Sequence, residues 1–421
     1  MSGASGSGSR RAFLRRGALV TCAVLALGAA GALPAAAATA APAPIVAGAP
    51  GPGCPAPAYP TVIAAVAAAP SGATINVCAG TYPGTVEVTR PITLRGAMAG
   101  RDARAGRTAA AAESVIDAGG GPGVRIAAGV SGVTVDGFTI RDAGTDAVAA
   151  AGVDASGGGS GFTIADNIIT DTSNGVALSS DGAVPSRISH NRFVANNRTG
   201  GAGGAGVLVC CGPGNDLLII ENSFRGHTSA AVNTAGDPAR PSSKLRIDLN
   251  SSIDDSTFAV VMNADAPTIN RNTVRRGPPG ASPPVVGNAI FLAGNTIGAE
   301  ATMNTIEGGA SAGIRISNEF GPGNTGFVVS GNTVTARQNG IRLTGQVSGT
   351  VTDNTVSAST AVGILLDADN NGVLVSHSLV GLSGVLDCKD LSAGTATAGT
   401  ANTWTANIAT GGAPAGICAP A

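Results

Sequence analysis

Charged and aromatic side chains are scarce in this chain. Of its 421 residues, 12% are charged and 3% are aromatic, and the formal net charge is -1. A chain without a basic stripe lacks the electrostatic footprint of a nucleic-acid binder, so we expect no nucleic-acid partner. The small number of aromatic rings also argues against a surface that binds neutral ligands by ring stacking.

Helical periodicity is missing as well. Between Val124 and Thr397 no eleven-residue stretch places its apolar residues on one helical face. Apolar residues instead stand two apart in short triplets, which is the period of a β-strand. The chain contains 63 glycines, many of them between these triplets. The pattern predicts an all-β chain of short strands and tight turns.

A couplet that repeats after residue 160 indicates the architecture. It begins with Asn, one residue and an apolar residue, and some ten residues later Gly or Ala opens an apolar-x-apolar triplet. The Asn members are Asn167, Asn191, Asn222, Asn250, Asn272, Asn304, Asn332 and Asn354. Their spacing of 22 to 32 residues is too short for a four-stranded propeller blade, which needs about 40. We therefore predict a parallel β-helix, with each Asn in the left-handed position of a turn and its amide bonded to the Asn of the next coil.

Three stretches outside the couplets carry a family resemblance. Residues 61–69 and 72–82 look like a capping helix and a first coil, and residues 133–140 look like the entry into a repeat array. Together with the couplets they resemble right-handed parallel β-helix repeat proteins of the pectin-lyase-like superfamily. The resemblance implies a single-stranded right-handed parallel β-helix with a short N-terminal capping helix. This domain is expected over residues 59–421, with caps at 59–96 and 385–421, and a polar loop at 97–113 is expected to be a solvated insertion.

The N-terminus has the pattern of an export signal. Arg10 and Arg11, followed by Phe13, match the twin-arginine pattern, and an apolar run from Gly17 to Leu33 follows. We expect residues 1–40 to be a removed signal peptide and residues 41–58 to be a Pro- and Ala-rich linker. The apolar run is short and interrupted by Gly, so no permanent membrane anchor is expected. The mature protein is expected to be secreted, extracellular and monomeric.

The cysteine count fits an oxidising compartment. Seven cysteines become six once the leader and Cys22 are removed, and an even number permits complete pairing. In the β-helix frame we expect disulfides that close the entry and exit caps: Cys54 with Cys78, and Cys388 with Cys418. The adjacent Cys210 and Cys211 form either a vicinal disulfide or two buried thiols. A metal site there is the weaker reading, because no second Cys or His pair stands at zinc-like spacing.

The middle residue of each triplet is expected to point outward, and coils stack about 4.8 Å apart. This outward row reads Ala177, Leu208, Asn233, Val261, Phe291, Arg315, Arg342 and Leu365. Arg315 above Arg342 is the candidate catalytic pair, because stacked guanidinium groups repel unless an anion or nearby carboxylates accept them. The candidate substrate-binding residues are Asn318, Glu319, Asp367, Phe291 and His227. Two interpretations stay open: Glu319 and Asp367 neutralise the arginines as surface ion pairs, or the arginines bind a uronate or sulfate.

A weak calcium candidate follows the last of these triplets. Asp367, Asp369 and Asn371 match the first half of an EF-hand loop, but Ser378 stands where the bidentate Glu would be. Asp and Asn before Gly also form the ordinary turn out of a strand. We therefore expect no required cofactor, with calcium as the candidate ligand.

The function hypotheses rest on the family resemblance. It implies contact with an extracellular or cell-wall polysaccharide, with binding or processing of an acidic polymer. If the protein is an enzyme, it is expected to be a polysaccharide lyase or epimerase acting on polyuronates, with Arg315 or Arg342 as carboxylate clamp and base. The alternative is a non-catalytic surface, adhesion or structural module of the same fold. That alternative predicts that Glu319 and Asp367 close on the arginine pair.

Overall fold

The computed structural model describes residues 43–51, 54, 56–107, 109–144, 150–198, 203–276, 287–345 and 347–419. Within these residues the chain forms a parallel β-solenoid of about 13 coils, which confirms the predicted all-β fold class. The predicted signal peptide, residues 1–40, lies outside the described residues. None of the helices in the described part of the chain has the length and apolar character needed to span a bilayer.

Successive coils contribute strands to three parallel sheets, which the chain visits in the order A, B, C. In the described residues sheet A has 14 strands: Ile45–Ala47, Thr74–Val77, Thr93–Arg95, Thr134–Asp136, Thr163–Ala165, Ser186–Ser189, Leu217–Ile220, Arg246–Asp248, Thr268–Asn270, Glu300–Thr302, Thr325–Ser330, Ser348–Thr352, Leu374–Ser376 and Thr403–Thr405. Sheet B has 12 in the same residues: Gly80–Pro83, Ser114–Asp117, Phe138–Arg141, Ile168–Thr170, Arg192–Val194, Ser223–Arg225, Ser251–Ile253, Thr273–Arg275, Thr305–Glu307, Thr333–Thr335, Thr355–Ser357 and Leu379–Gly381.

Sheet C supplies the long face on which the candidate site lies. Its 13 strands within the described residues are Val86–Val88, Val124–Ile126, Ala151–Ala155, Asn174–Ser180, Ala205–Gly214, Ala230–Thr234, Ala259–Met262, Ile290–Ala293, Ile314–Ser317, Asn339–Thr344, Val362–Leu366, Leu386–Asp390 and Gly412–Ala413. A separate parallel pair joins Ser242–Ser243 to Ala264–Asp265.

Strand alternation builds the core. In Ile314–Ser317, Ile314 and Ile316 are fully buried, whereas Arg315 between them is partly exposed. Because strands pair in register, Ile314 stacks on Ile341 of the next coil. Branched apolar residues thus form one continuous column from entry to exit, and each coil packs mainly on its neighbours.

The predicted Asn ladder is present and buried. The Asn304 side-chain amide donates to Asn332 Oδ1 at 2.9 Å, and Asn332 donates in turn to Asn354 Oδ1 at 3.0 Å. Equivalent bonds link all eight members, including Asn250, the least regular copy in the sequence. At the exit, Ser378 takes the next place by donating its backbone N–H to Asn407 Oδ1.

The backbone role predicted for these asparagines is wrong. The left-handed conformation belongs to the residue before each ladder Asn, with φ 54° at Met303 and 57° at His190. That position faces solvent, so it accepts many side-chain types, whereas the ladder position is enclosed and needs an amide. His377, the residue before Ser378, has the same left-handed conformation, with φ 50°.

A short helix covers the entry of the solenoid, as predicted. Helix Val62–Ala68 begins at Thr61, whose hydroxyl accepts from the Ala64 N–H at 3.1 Å, a standard N-cap. The helix buries Val62, Ala65 and Val66 in the core of the solenoid. Part of the predicted linker, Ile45–Ala47, is the first strand of sheet A, so sheet pairing begins before residue 59. The predicted Cys54–Cys78 disulfide joins this segment to the first coil.

The loop at 97–113 differs from its prediction, whereas the exit cap agrees with it. The loop at 97–113 is not a solvated insertion: the Arg107 side chain is only 8% exposed, pairs with Glu113 at 2.9 Å and donates to the Asp166 carbonyl. At the exit, Trp404 is buried and donates to Asp390 at 2.8 Å. The predicted Cys388–Cys418 disulfide is also present there.

Candidate functional site on the outward face of sheet C

The outward row of sheet C runs in strict register. Strand pairing aligns Val260 with Phe291, Phe291 with Arg315, Arg315 with Arg342, and Arg342 with Leu365. The apolar centre of the row therefore leads directly into the arginine pair. The sequence prediction placed four of these five residues correctly.

The prediction was wrong at one position of this row. Val261 is fully buried, and Val260 faces outward in register with Asn233. Strand Ala259–Met262 is apolar throughout, so its side-chain pattern does not distinguish the two faces. Pairing with the neighbouring strands determines which valine is outside.

Each arginine of the stacked pair has a carboxylate partner. Arg315 Nη2 donates to Glu319 Oε1 at 2.6 Å, and its Nε donates to the Thr344 hydroxyl at 3.3 Å. Arg342 Nη2 donates to Asp367 Oδ2 at 3.2 Å. The closure of Glu319 and Asp367 on the arginines is the arrangement expected of the non-catalytic alternative.

These ion pairs are open to solvent on one side. The Arg342 side chain is 37% exposed and that of Glu319 is 45% exposed. Their partners Arg315 and Asp367 are less exposed, at 20% and 23%. Arg342 Nε, in contrast, is buried and has no hydrogen-bond partner.

Phe291 lies beside the pair, and Asn318 follows the strand that carries Arg315. The guanidinium of Arg315 lies 5.3 Å from the centroid of the Phe291 ring, within range of a cation–π interaction. The Asn318 amide lies against Gly345, where a Cβ atom would collide with it. The structure thus places Phe291 beside the pair, whereas the Asn318 amide lies against Gly345.

His227 does not belong to this surface, contrary to the sequence prediction. It is fully buried in a second polar column, which follows the strands of sheet B. Its Nδ1 lies 2.6 Å from Asp255 Oδ1, and its Nε2 lies 3.1 Å from the Asn196 amide. Asn196 in turn accepts from the Thr172 hydroxyl at 2.8 Å. The turn before Ala231 folds inward, so the histidine binds its neighbouring coils and cannot reach a ligand.

The three residues predicted to bind calcium have different surroundings. Asp367 is engaged by Arg342, whereas Asp369 and Asn371 line a separate cavity of about 400 Å³. Asn370 between them is buried and donates to the Leu343 carbonyl, as expected of a structural turn. In the described part of the chain, no group of three or more His, Cys, Asp or Glu side chains is placed to hold a metal ion. Calcium binding at Asp369 and Asn371 stays a prediction.

Two cationic residues of this face were missed by the sequence interpretation. Lys389 is in register with Leu365 and extends the row beyond Arg342. Near the entry, Arg125 pairs with Glu87 at 2.9 Å on the same face. Both residues were missed because the couplet is absent in and next to the caps. The signal that could have found them is their position between two core-facing residues, which makes their side chains point outward.

Comparison with known proteins agrees with this architecture. The family model described as a right-handed beta helix region matches residues 103–240 and 235–380. No curated protein sequence matches the chain.

Among solved structures, the chain is similar to several proteins at low identity. An alginate lyase from Paenibacillus sp. str. FPU-7 is 13% identical, with a TM-score of 0.43 over 74% of this chain and 96% of that chain. A mannuronic acid specific polysaccharide family 6 lyase from human gut microbiota is 15% identical, with a TM-score of 0.47 over 76% and 80%. The DFA-IIIase of Arthrobacter chlorophenolicus A6 is 14% identical, with a TM-score of 0.42 over 75% and 87%. Since the family model covers more than half of the chain, the protein belongs to the right-handed parallel β-helix family.

Proposed function

We propose that this protein is a secreted β-helix that binds an acidic polysaccharide along the outward face of sheet C without cleaving it. The observation that carries the proposal is the register of Phe291, Arg315 and Arg342 on three successive strands. This row combines one aromatic ring with two guanidinium groups. A carboxylated or sulfated sugar chain offers the matching apolar ring faces and anions.

The ion pairs of the arginines support binding of a mobile polyanion. Stacked guanidinium groups repel, and Glu319 and Asp367 offset that repulsion in the free protein. A polymer carboxylate can take the same place, because guanidinium binds planar oxyanions through two parallel hydrogen bonds.

The burial of His227 supports binding without catalysis. A polyuronate lyase must remove a proton next to the carboxylate, so it needs a base within hydrogen-bond reach of the substrate. His227 was the histidine predicted to face the groove, and it is enclosed by Asn196 and Asp255. Arg315 and Arg342 each already donate to a carboxylate of the protein, Glu319 and Asp367 respectively.

Two features support an extracellular location. The sequence of the first 40 residues has the twin-arginine pattern, and disulfides close both the entry and the exit cap. Disulfides persist in oxidising compartments. Cell-wall or environmental polysaccharide would be accessible to the protein there.

The test is binding of the purified protein to pectate and alginate, with neutral dextran as the reference polymer. We expect binding to the two acidic polymers that weakens as salt rises, because exposed charges are screened. The double variant Arg315→Gln/Arg342→Gln should lose roughly tenfold or more in affinity, since a charge-assisted hydrogen bond contributes about 1.5–3 kcal/mol.

Arg275→Gln is the matched control. Arg275 also faces outward and pairs with Glu307 at 3.6 Å, but it lies on sheet B. This variant should bind as the unchanged protein does. Equal losses of polymer affinity in the two variants would contradict binding at the outward face of sheet C. Release of unsaturated sugar ends from either polymer would show that the protein is a lyase.

A further inference from the structure

Two adjacent cysteines stand on the same face of the solenoid, away from the arginine pair. Cys210 and Cys211 lie in strand Ala205–Gly214, and their Sγ atoms are 3.2 Å apart and unbonded. The pairing register with the preceding strand shifts here, since Leu178 aligns with Val209 but Ser180 aligns with Gly214. The extra residues form a bulge that projects the thiols out of the sheet.

The two thiols have unlike surroundings. Cys211 is exposed at the tip of the bulge and has a left-handed backbone, with φ 67°. Cys210 is half-buried, and burial raises the pKa of its thiol, with smaller contributions from Cys211 and Asp154. An exposed thiol is the one that meets a reagent in solution, and the half-buried thiol 3.2 Å from it is within reach of a mixed disulfide formed there.

We propose that Cys210 and Cys211 form a redox modification site that reacts with small disulfides. Cys211 attacks one sulfur of the incoming disulfide, forms a mixed disulfide and releases the first thiol. Cys210 then attacks Cys211 Sγ, which forms the vicinal disulfide and releases the second thiol. In the overall step the two cysteines lose two protons and two electrons, which reduce the external disulfide to two thiols.

Ring closure would be reversible and would change the shape of the bulge. Neighbouring Cα atoms are about 3.8 Å apart, whereas disulfide-linked Cα atoms are usually at least about 4.4 Å apart, so the ring is strained and easily reduced. The chain offers two disulfides for contrast, with Cα atoms 5.8 Å apart in Cys54–Cys78 and 6.4 Å apart in Cys388–Cys418. These two are expected to stay oxidised when the vicinal pair is reduced.

The bulge also forms part of a cavity wall. A cavity of about 360 Å³ lies beside Cys211 and is lined by polar side chains, among them Ser179, Asp181, Asn215 and Arg240. Closing the ring would move the Cys211 side chain back over Cys210 and alter this wall. The oxidation state of the pair thereby sets the surface that this face presents.

The experiment exposes the purified full-length protein to glutathione disulfide and follows the tryptic peptide 199–225, which contains these two cysteines and no other. In the unchanged protein the peptide should lose two hydrogens and both alkylatable thiols, and dithiothreitol should restore them. Cys210→Ser should retain one glutathione at Cys211, because no resolving thiol is present. Cys211→Ser should react many times more slowly, because the remaining thiol is half-buried.

Three outcomes would overturn the assignment. The first is a pair that stays fully alkylatable after the oxidant. The second is a lasting glutathione adduct on the unchanged protein, which would show that Cys210 does not resolve it. The third is equal reaction rates in the two single variants, which would remove the distinction between attacking and resolving thiols.

Discussion

At the residue scale, the ladder asparagines have a different role from the one their sequence pattern suggested. The repeat identified the eight residues, because an enclosed position that must link two coils accepts few side chains. The pattern could not show which residue adopts the left-handed turn, since that position holds Met303, His190 and Arg271 alike. The turn requires a left-handed backbone at this position, and because the side chain points into solvent, many residue types are tolerated there.

His227→Ala should destabilise the protein without changing polysaccharide binding. The substitution removes the bonds to Asn196 and Asp255 inside a fully buried column, so we expect a loss of about 2–4 kcal/mol in the free energy of unfolding. Urea unfolding of the variant and of the unchanged protein measures this difference in the free energy of unfolding.

His190→Ala is the matched control for this variant. The His190 side chain is 32% exposed, and its ring lies 3.1 Å from Glu221 at the surface. Its removal should change stability by less than about 0.5 kcal/mol. Similar losses in the two variants would argue against a structural column at His227.

At the element scale, strand register was the property that the sequence specified least well. Alternating strands such as Ile314–Ser317 were oriented correctly, because polar and apolar residues separate the two faces. Ala259–Met262 lacks that contrast, and the sequence interpretation turned Val261 outward instead of Val260. Hydrogen bonding to the strands on either side sets the register there, and this information lies outside the strand itself.

The exit cap should be sensitive to acid through Asp387. Burial alone would raise the pKa of this carboxyl, but hydrogen bonds from Thr410 and Ser383 outweigh it and hold the pKa below its usual value. A carboxyl with a lowered pKa stabilises the fold above its unfolded pKa of about 3.9, and the contribution is lost as pH falls below that value through the lowered pKa of the folded state. Asp387→Asn should therefore be less stable at pH 7, and the difference from the unchanged protein should shrink as pH falls below the unfolded pKa.

Asp369→Asn provides the comparison for this pH dependence. Asp369 is exposed in the turn after strand Val362–Leu366, and its replacement should leave the stability profile almost unchanged. Unfolding free energies measured from pH 7 to pH 3 separate the two cases. A gap between Asp387→Asn and the unchanged protein that persists in acid would contradict the proposed linkage.

At the scale of the whole molecule, the sequence predicted the solenoid, the entry helix and both cap disulfides. The solenoid follows from the local repeats, and the entry helix and the pairing of the cap cysteines follow from the family resemblance. The packing of the loop at 97–113 did not follow, because Arg107 reaches the Asp166 carbonyl, 59 positions away in sequence. The arginine pair was found because its residues occupy equal places in successive couplets. The inward fold of the turn at His227 was missed, because a polar residue in a turn usually faces solvent.

Asn332→Leu should weaken the coils on either side and leave distant coils intact. Asn332 donates to Asn354 and to the Ala301 carbonyl and accepts from Asn304, so the substitution orphans buried groups in two neighbouring coils. We expect a local loss of about 2–4 kcal/mol. Hydrogen exchange should speed up at residues 301–354 while the helix at Val62–Ala68 keeps its protection.

Thr333→Ala tests whether this effect is specific to the ladder. Thr333 follows Asn332 directly but is exposed on sheet B, so exchange should be nearly unchanged. A global loss of protection in Asn332→Leu would contradict a stack in which each coil depends chiefly on its neighbours.

The uniform bonding of the Asn ladder has a consequence for how such a protein can change over generations. Every internal ladder Asn offers the same acceptor to the coil before it and the same donor to the coil after it, so any two coils can be joined by the same chemistry. A duplication that inserts a second copy of residues 332–353 would leave no ladder group unmatched. Unequal recombination could thus lengthen the molecule by one strand spacing of about 4.8 Å at a time. The number of coils, and with it the length of the binding face, is a trait that selection can adjust without inventing a new fold.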